Sequence, residues 1–128
     1  MSVIHLVALL ALLQYLFFGS LVGKARVRYG VEAPAITGHP QFERMYRVQM
    51  NTLELLVVFL PALWLAALYW SPLGMGAIGA VYLVGRLLYW RAYTRNPASR
   101  ELGFVLSAVP IVLLLLAGLG GALMALPQ

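Results

Sequence analysis

Three stretches of this chain, Ser2 to Gly23, Leu55 to Gly85 and Leu102 to Leu126, contain no Lys, Arg, Asp or Glu. A helix needs about 20 mostly apolar residues to cross a ~30 Å hydrocarbon core. The first and last stretches are therefore one span each. The middle one is long enough for two, and "SPLGMG" at Ser71 to Gly76 supplies the Pro and Gly that turn the chain between them. No segment alternates apolar and polar residues as the strands of a membrane barrel do. Ser2 to Gly23 does not read as a secretory leader, because no basic residue precedes it and it exceeds the roughly 7–15 apolar residues of such a segment. The expected fold is an all-α integral membrane protein, a four-transmembrane-helix bundle forming one domain over residues 1–128. Pro61 and Pro110 are expected kinks within the second and fourth spans. "GLGG" at Gly118 to Gly121 is an expected point of close helix contact.

A soluble alternative fails on surface area. The chain is 62% hydrophobic and 10% charged, and a soluble domain of about this length buries only some two-thirds of its surface. Lipid must solvate the remaining apolar area. The net charge of +5 does not indicate nucleic acid, since the basic residues fall between the apolar runs rather than on a soluble face. Lys24, Arg26, Arg28, Arg44 and Arg47 lie between spans one and two, and Arg91, Arg95 and Arg100 between spans three and four. By the positive-inside rule both basic connections are cytoplasmic and both termini lie on the opposite side. With no cysteine, any thiol chemistry requires a thiol brought by a ligand. His5 and His39 have no partner at metal-ligand spacing, so no metal is expected, and Met45 and Met50 read as packing residues.

Topology alone accounts for Lys24, Arg28 and Arg95. Other polar residues have a pattern that it does not explain. Arg44, Arg47, Asn51 and Glu54 follow at i, i+3, i+7 and i+10, one face of a helix, and Glu54 runs directly into "LLVVFLPALWL". A carboxylate at that depth faces protein and is paired, either in a functional site or in an ion-pair network that packs helices. Arg86, Tyr89 and Tyr93, at i, i+3 and i+7, form a second stripe on span three. For its tyrosines the alternative is an interfacial aromatic belt, of which Tyr82 and Trp90 would be better members. Arg100 stands where span four starts, a position at which a cation opposes the helix dipole, so it is either simply solvated in the loop or held there by an anion or a thiolate.

"FERMYRVQMNTLE", preceded by "TGHP" and followed by "FLPALWLAALY", resembles the second-helix signature of the MAPEG family, the membrane-associated proteins in eicosanoid and glutathione metabolism. "YLVGRLLYWRAYTRNPASR" resembles that family's third helix and following loop, so the likeness runs from about Lys24 to Arg100. The resemblance implies a homotrimer with glutathione as co-substrate, bound between subunits near the cytoplasmic side. Carried over by position, the glutathione contacts are Arg26, Arg47, Gln49, Asn51, Glu54, Tyr89 and Tyr93, and Arg100 is the catalytic residue that approaches the sulfur. It further implies a transferase or peroxidase acting on a lipophilic substrate that arrives from membrane lipid. Val27 stands where leukotriene-forming members carry a second arginine, and Leu55 where they carry a tyrosine. The non-catalytic relatives lack the arginine and glutamate of the signature, which this chain keeps. A lipid-binding adaptor of the same fold, or a small transporter whose stripes line a pathway, are the rival expectations. The short loops and the lack of an organelle-retention tail point to a bacterial inner membrane.

Overall fold

Gly30 ends the first helix. Its φ of 69° is the left-handed conformation that costs glycine little, and its N–H closes on the Arg26 carbonyl. The computed structural model describes residues 1–128, in which helix α1 is Ser2–Tyr29, α2 Pro40–Tyr69, α3 Pro72–Arg95 and α4 Glu101–Met124. No strand is present, and all four helices are long and apolar enough to cross a membrane. His39 starts α2 by accepting the Gln41 N–H on Nδ1 at 3.1 Å, with Pro40 in the first helical position, where its missing donor costs nothing. Ser71 caps α3 in the same way, its Oγ 3.3 Å from the Gly74 nitrogen. Asn96 ends α3 and opens a single 3-10 turn, Pro97–Ser99, from which the chain enters α4 at Arg100.

Two boundaries differ from expectation. The first helix continues past Gly23 to Tyr29, so Lys24, Arg26 and Arg28 project from its last turns rather than from a loop. A helix satisfies its own backbone and can leave the apolar layer without breaking. The turn expected over Ser71 to Gly76 shrinks to Trp70 and Ser71, and Gly74 and Gly76 are helical. Gly76 is small for packing, not for turning: a Cβ there would lie 2.5 Å from Val3 Cγ1. Pro61 and Pro110 interrupt neither helix.

The helices alternate in direction. Gly76 and Gly79 of α3 face Val3 and Val7 of α1, so these two run parallel, whereas Asn51 of α2 meets Arg86 and Arg44 meets Thr94, so α2 opposes α3. The closest crossing is between α3 and α4. A Cβ on Gly85 would stand 2.6 Å from the Leu106 carbonyl carbon, and Gly103 abuts the Tyr89 backbone. In a membrane such small residues let backbones approach where no hydrophobic force drives helices together. "GLGG" behaves as expected, with Gly118 against Ala66 and Gly121 against Tyr69. Gly85→Ala is accordingly expected to destabilise the protein by about 1–3 kcal/mol, read as a lower Tm in detergent. Gly120→Ala, which meets nothing within 4 Å, should leave Tm no lower; equal losses in both would remove the close-packing explanation.

The apolar core is in two parts. One gathers Ile4, Val7, Leu56, Phe59, Leu63 and Leu114 towards the chain termini. The other gathers Phe18, Val22, Phe42, Met45, Val48 and Tyr89 towards the basic end. Between them lies a layer of polar side chains.

Candidate functional site

That layer is built around Arg86, which has no exposed surface. Its Nε donates to Ser107 Oγ at 2.9 Å, and its Nη1 donates to Asn51 Oδ1 at 2.7 Å and Thr52 Oγ1 at 3.2 Å. Thr52 and Ser107 in turn donate to the carbonyls of Val48 and Gly103, one turn back on their own helices. One cation thereby joins α2, α3 and α4. All three of its acceptors are neutral oxygens, so nothing cancels its charge. Its guanidinium also lies over the Tyr89 ring, 4.4 Å from the centroid. Tyr89 stacks on Tyr93 with centroids 5.3 Å apart, so the second stripe is a continuous column, Arg86, Tyr89, Tyr93. Tyr89 is buried and Tyr93 half-buried, which removes Tyr89 from an interfacial belt. Tyr82, named above as a better belt member, is wholly enclosed and stacks on Phe59 at 3.9 Å. It belongs to the core because its side of α3 faces α2.

The first stripe splits. Arg47 and Glu54 form an ion pair at 3.0 Å along the outer side of α2, with side chains 49% and 59% exposed. The pair connects no two helices of the subunit, so it is not a packing device within this chain. Arg44 instead reaches α3, donating to the carbonyls of Thr94 and Arg95 at 3.4 Å each. Asn51 looks inward to Arg86, which occupies its carbonyl oxygen and leaves its amide donor for another partner. Arg86 and Tyr93 touch the Tyr89 ring, and Arg47 and Arg100 are close enough to act on its hydroxyl electrostatically. Arg100 itself pairs with no carboxylate and donates only to the Pro97 carbonyl, at 3.2 Å. Arg47, Asn51, Glu54, Tyr89, Tyr93 and Arg100 therefore form one set, spread over α2, α3 and the head of α4.

Gln49 and Arg26 are not part of that set. Gln49 follows Arg47 by about 200° around α2 and lies on α1, where a Cβ at Gly19 would come within 2.9 Å of its Nε2. Arg26 donates to the carbonyls of Val31 and Ala35 at 3.3 and 2.7 Å and covers the Phe42 ring at 4.7 Å. Both belong to the α1–α2 face. His39 and His5 stack on Tyr29 and Trp64 with centroids 4.1 and 5.6 Å apart, and Met45 packs in the core.

Sequence patterning missed Thr52 and Ser107. Either could have been an ordinary small span residue, and nothing in the order of residues says that both meet Arg86. The available signal was Arg86 itself, since a cation in an apolar run must find acceptors on its neighbours.

What the arrangement can do is hold an anion. Arg100 is uncommitted to any carboxylate, its charge reaches the Tyr89 hydroxyl, and the Arg47–Glu54 pair on α2 offers both signs of charge to a zwitterionic ligand.

A profile of the MAPEG family matches residues 4–120. An uncharacterized protein of Synechocystis is 44% identical over 123 residues, covering 96% of this chain and 90% of that protein. Human microsomal glutathione S-transferase 2 is 40% identical over 112 residues, 88% of this chain and 76% of the relative. Guinea-pig (Cavia porcellus) leukotriene C4 synthase is 40% identical over 115 residues, 89% and 77% of the two chains.

Proposed function

The chain belongs to the MAPEG family, and from that membership we propose that it is a membrane-embedded glutathione transferase, working as a homotrimer with one glutathione between each pair of neighbouring subunits. The observation that carries this reading is the division of the candidate residues between two faces. Arg47, Asn51, Glu54, Tyr89, Tyr93 and Arg100 belong to one, Arg26 and Gln49 to the other. A ring of three subunits, each turning its α1–α2 face to the α2–α3–α4 face of the next, would unite them and close the assembly. It would also cover the Arg47–Glu54 pair, which at the edge of an apolar span would otherwise meet lipid. Two relatives whose names specify glutathione transfer or leukotriene C4 synthesis support the chemistry.

Glutathione carries two carboxylates, one ammonium and a thiol. Arg47 and Arg26 suit the carboxylates, Glu54 the ammonium, and the free amide donor of Asn51 a further carboxylate oxygen. Arg100 stabilises the sulfur as thiolate, moving a thiol of pKa about 8.5 towards working pH. The thiolate attacks the electrophilic carbon of a lipophilic substrate, a C–S bond forms, and the leaving group or displaced electron pair takes a proton. With a hydroperoxide the thiolate attacks the terminal oxygen and the O–O bond breaks, releasing an alcohol. A second glutathione then gives the disulfide and water. Val27 and Leu55, in place of the arginine and tyrosine of leukotriene-forming members, favour substrates other than the leukotriene precursor. The basic ends of the helices face the cytoplasm of a bacterial inner membrane in this proposal.

Glu54→Gln and Arg47→Ala are expected to weaken glutathione binding roughly tenfold to a hundredfold, about 1.5–3 kcal/mol for a charge-assisted contact, with subunit assembly intact. Titration calorimetry in detergent measures the first and size-exclusion light scattering the second. Absent binding of millimolar glutathione by the unaltered protein would end the transferase proposal.

A further inference from the structure

We propose that the groove between α1 and α3 at the basic end of the bundle is a binding site for an anionic phospholipid, with Lys24 and Arg28 on the phosphate and an acyl chain along the groove towards the membrane centre. The groove follows from residue spacing. On α1, Leu10, Leu13, Phe17, Leu21, Lys24 and Arg28 recur every three or four residues and share one face; on α3, which runs parallel, Leu83, Leu87, Trp90 and Thr94 do the same. Two cavities lie between these faces. One, about 360 Å³, is lined by Leu10, Leu13, Gln14, Phe17, Leu83 and Leu87. The second, about 410 Å³, is the next along the helices towards the basic end and includes Leu21, Lys24, Arg28, Trp90 and Thr94, with Gln41 and Met45 of α2 as a further wall. Phe17 meets Trp90 edge-on at 5.4 Å where the two adjoin, and Gln14 ties the floor together by donating to the Leu83 carbonyl at 2.9 Å.

Polarity is sorted along the groove as it is along a phospholipid. From Leu10 to Leu21 the lining is apolar apart from Gln14, and the helix rises roughly 16 Å at ~1.5 Å per residue. One leaflet of a ~30 Å core is about that deep. Beyond it come two cations, with Tyr29 and Gln41 as neutral hydrogen-bonding groups at the mouth. Neither α1 nor α3 contains an Asp or Glu, and α2 contributes Gln41 and Met45 but no carboxylate to the lining of the cavity. Lys24 and Arg28 are also free. Arg44 bonds backbone carbonyls, and Arg26 and Arg47 belong to the glutathione reading above, whereas Lys24 and Arg28 make no hydrogen bond or ion pair within the chain, Arg28 only lying over the ring of its neighbour Tyr29 at 5.4 Å. The site is distinct from the glutathione site proposed above, because Arg26 projects from the opposite side of α1. An inorganic anion would use only the mouth; the apolar lining that follows it along α1 and α3, from Leu21 back to Leu10, calls for a lipid.

The test uses the intact protein in mixed micelles of equimolar phosphatidylglycerol and phosphatidylcholine with identical acyl chains, and native mass spectrometry to read the lipids retained. The unaltered protein should retain phosphatidylglycerol over phosphatidylcholine by about tenfold to thirtyfold, each basic side chain near an anionic surface contributing roughly fivefold. Lys24→Ala/Arg28→Ala should bring the ratio close to one. Arg95→Ala, which removes a cation from the same end but outside the groove, should change it less than twofold. Leu87→Trp fills the trough with both cations in place and should reduce retention of both lipids. An unchanged ratio in the Lys24/Arg28 variant overturns the proposal. Displacement of the lipid by equimolar inorganic phosphate would reassign the cations to a soluble anion, and loss of subunit assembly in Leu87→Trp would reassign the groove to a second copy of the chain. Either result overturns the lipid site.

Discussion

Arg100→Ala is expected to lower the turnover of glutathione conjugation by about 10²–10³-fold, the effect of removing one preorganised group from a developing or stabilised anion, while changing the KM for glutathione only a few-fold. The split follows from position. Arg100 stands at the head of α4, exposed, with only the Pro97 carbonyl as partner, whereas the residues suited to the glutathione carboxylates and ammonium lie elsewhere. Its guanidinium competes with no carboxylate for an anionic sulfur. Stopped-flow conjugation separates turnover from binding, and ultraviolet difference absorbance across pH measures bound thiolate directly. The thiolate signal of the unaltered protein should persist to lower pH than that of the variant, because a cation beside the sulfur favours the charged form. Arg100→Lys should recover part of the signal, since a point charge remains. If Arg100→Ala raised KM and left turnover and the thiolate signal untouched, Arg100 would be a binding residue only.

The second large effect concerns the polar layer. Asn51→Leu is expected to destabilise the protein by about 1.5–3 kcal/mol, because it removes the shortest of the three hydrogen bonds to a fully buried cation and the charge stays behind. Arg86→Met added to it should restore most of the loss. Without Arg86 there is no charge to compensate, and Thr52 and Ser107 keep their bonds to Val48 and Gly103. Tm in detergent for the two single variants and the double variant closes the cycle. A double variant less stable than Asn51→Leu alone would mean that Arg86 contributes packing rather than uncompensated charge. Glutathione binding should not return with stability in the double variant, since the Asn51 amide is still missing; its return would exclude Asn51 from the ligand's contacts.

Much of the geometry of the candidate residues was legible because such residues are costly where they stand. Arg47 and Glu54 at i and i+7 before a long apolar run must find partners, and they find each other. The stripe of Arg86, Tyr89 and Tyr93 is likewise a column in space. Arg44, on the same helical face as Arg47, bonds instead to α3 carbonyls, because spacing fixes which way a side chain projects and not what waits there.

Taken by itself, the order of residues determined the four helices, the single basic end and the candidate anion-binding side chains. Uncharged runs of span length and charges at helical spacing have few physical outcomes in a bilayer. Tertiary structure alone decided the rest. Tyr82 is core rather than belt because α3 turns that side to α2. Arg86 binds α2 and α4 because Gly85 and Gly103 let α3 and α4 come close enough for Ser107 to reach it. Gln49 and Arg26 face away from Arg47 and Glu54 because α1 packs on the other side of α2. Each is a relation between residues far apart in the chain, set by which helix faces meet, and periodicity within one helix carries no information about its neighbour.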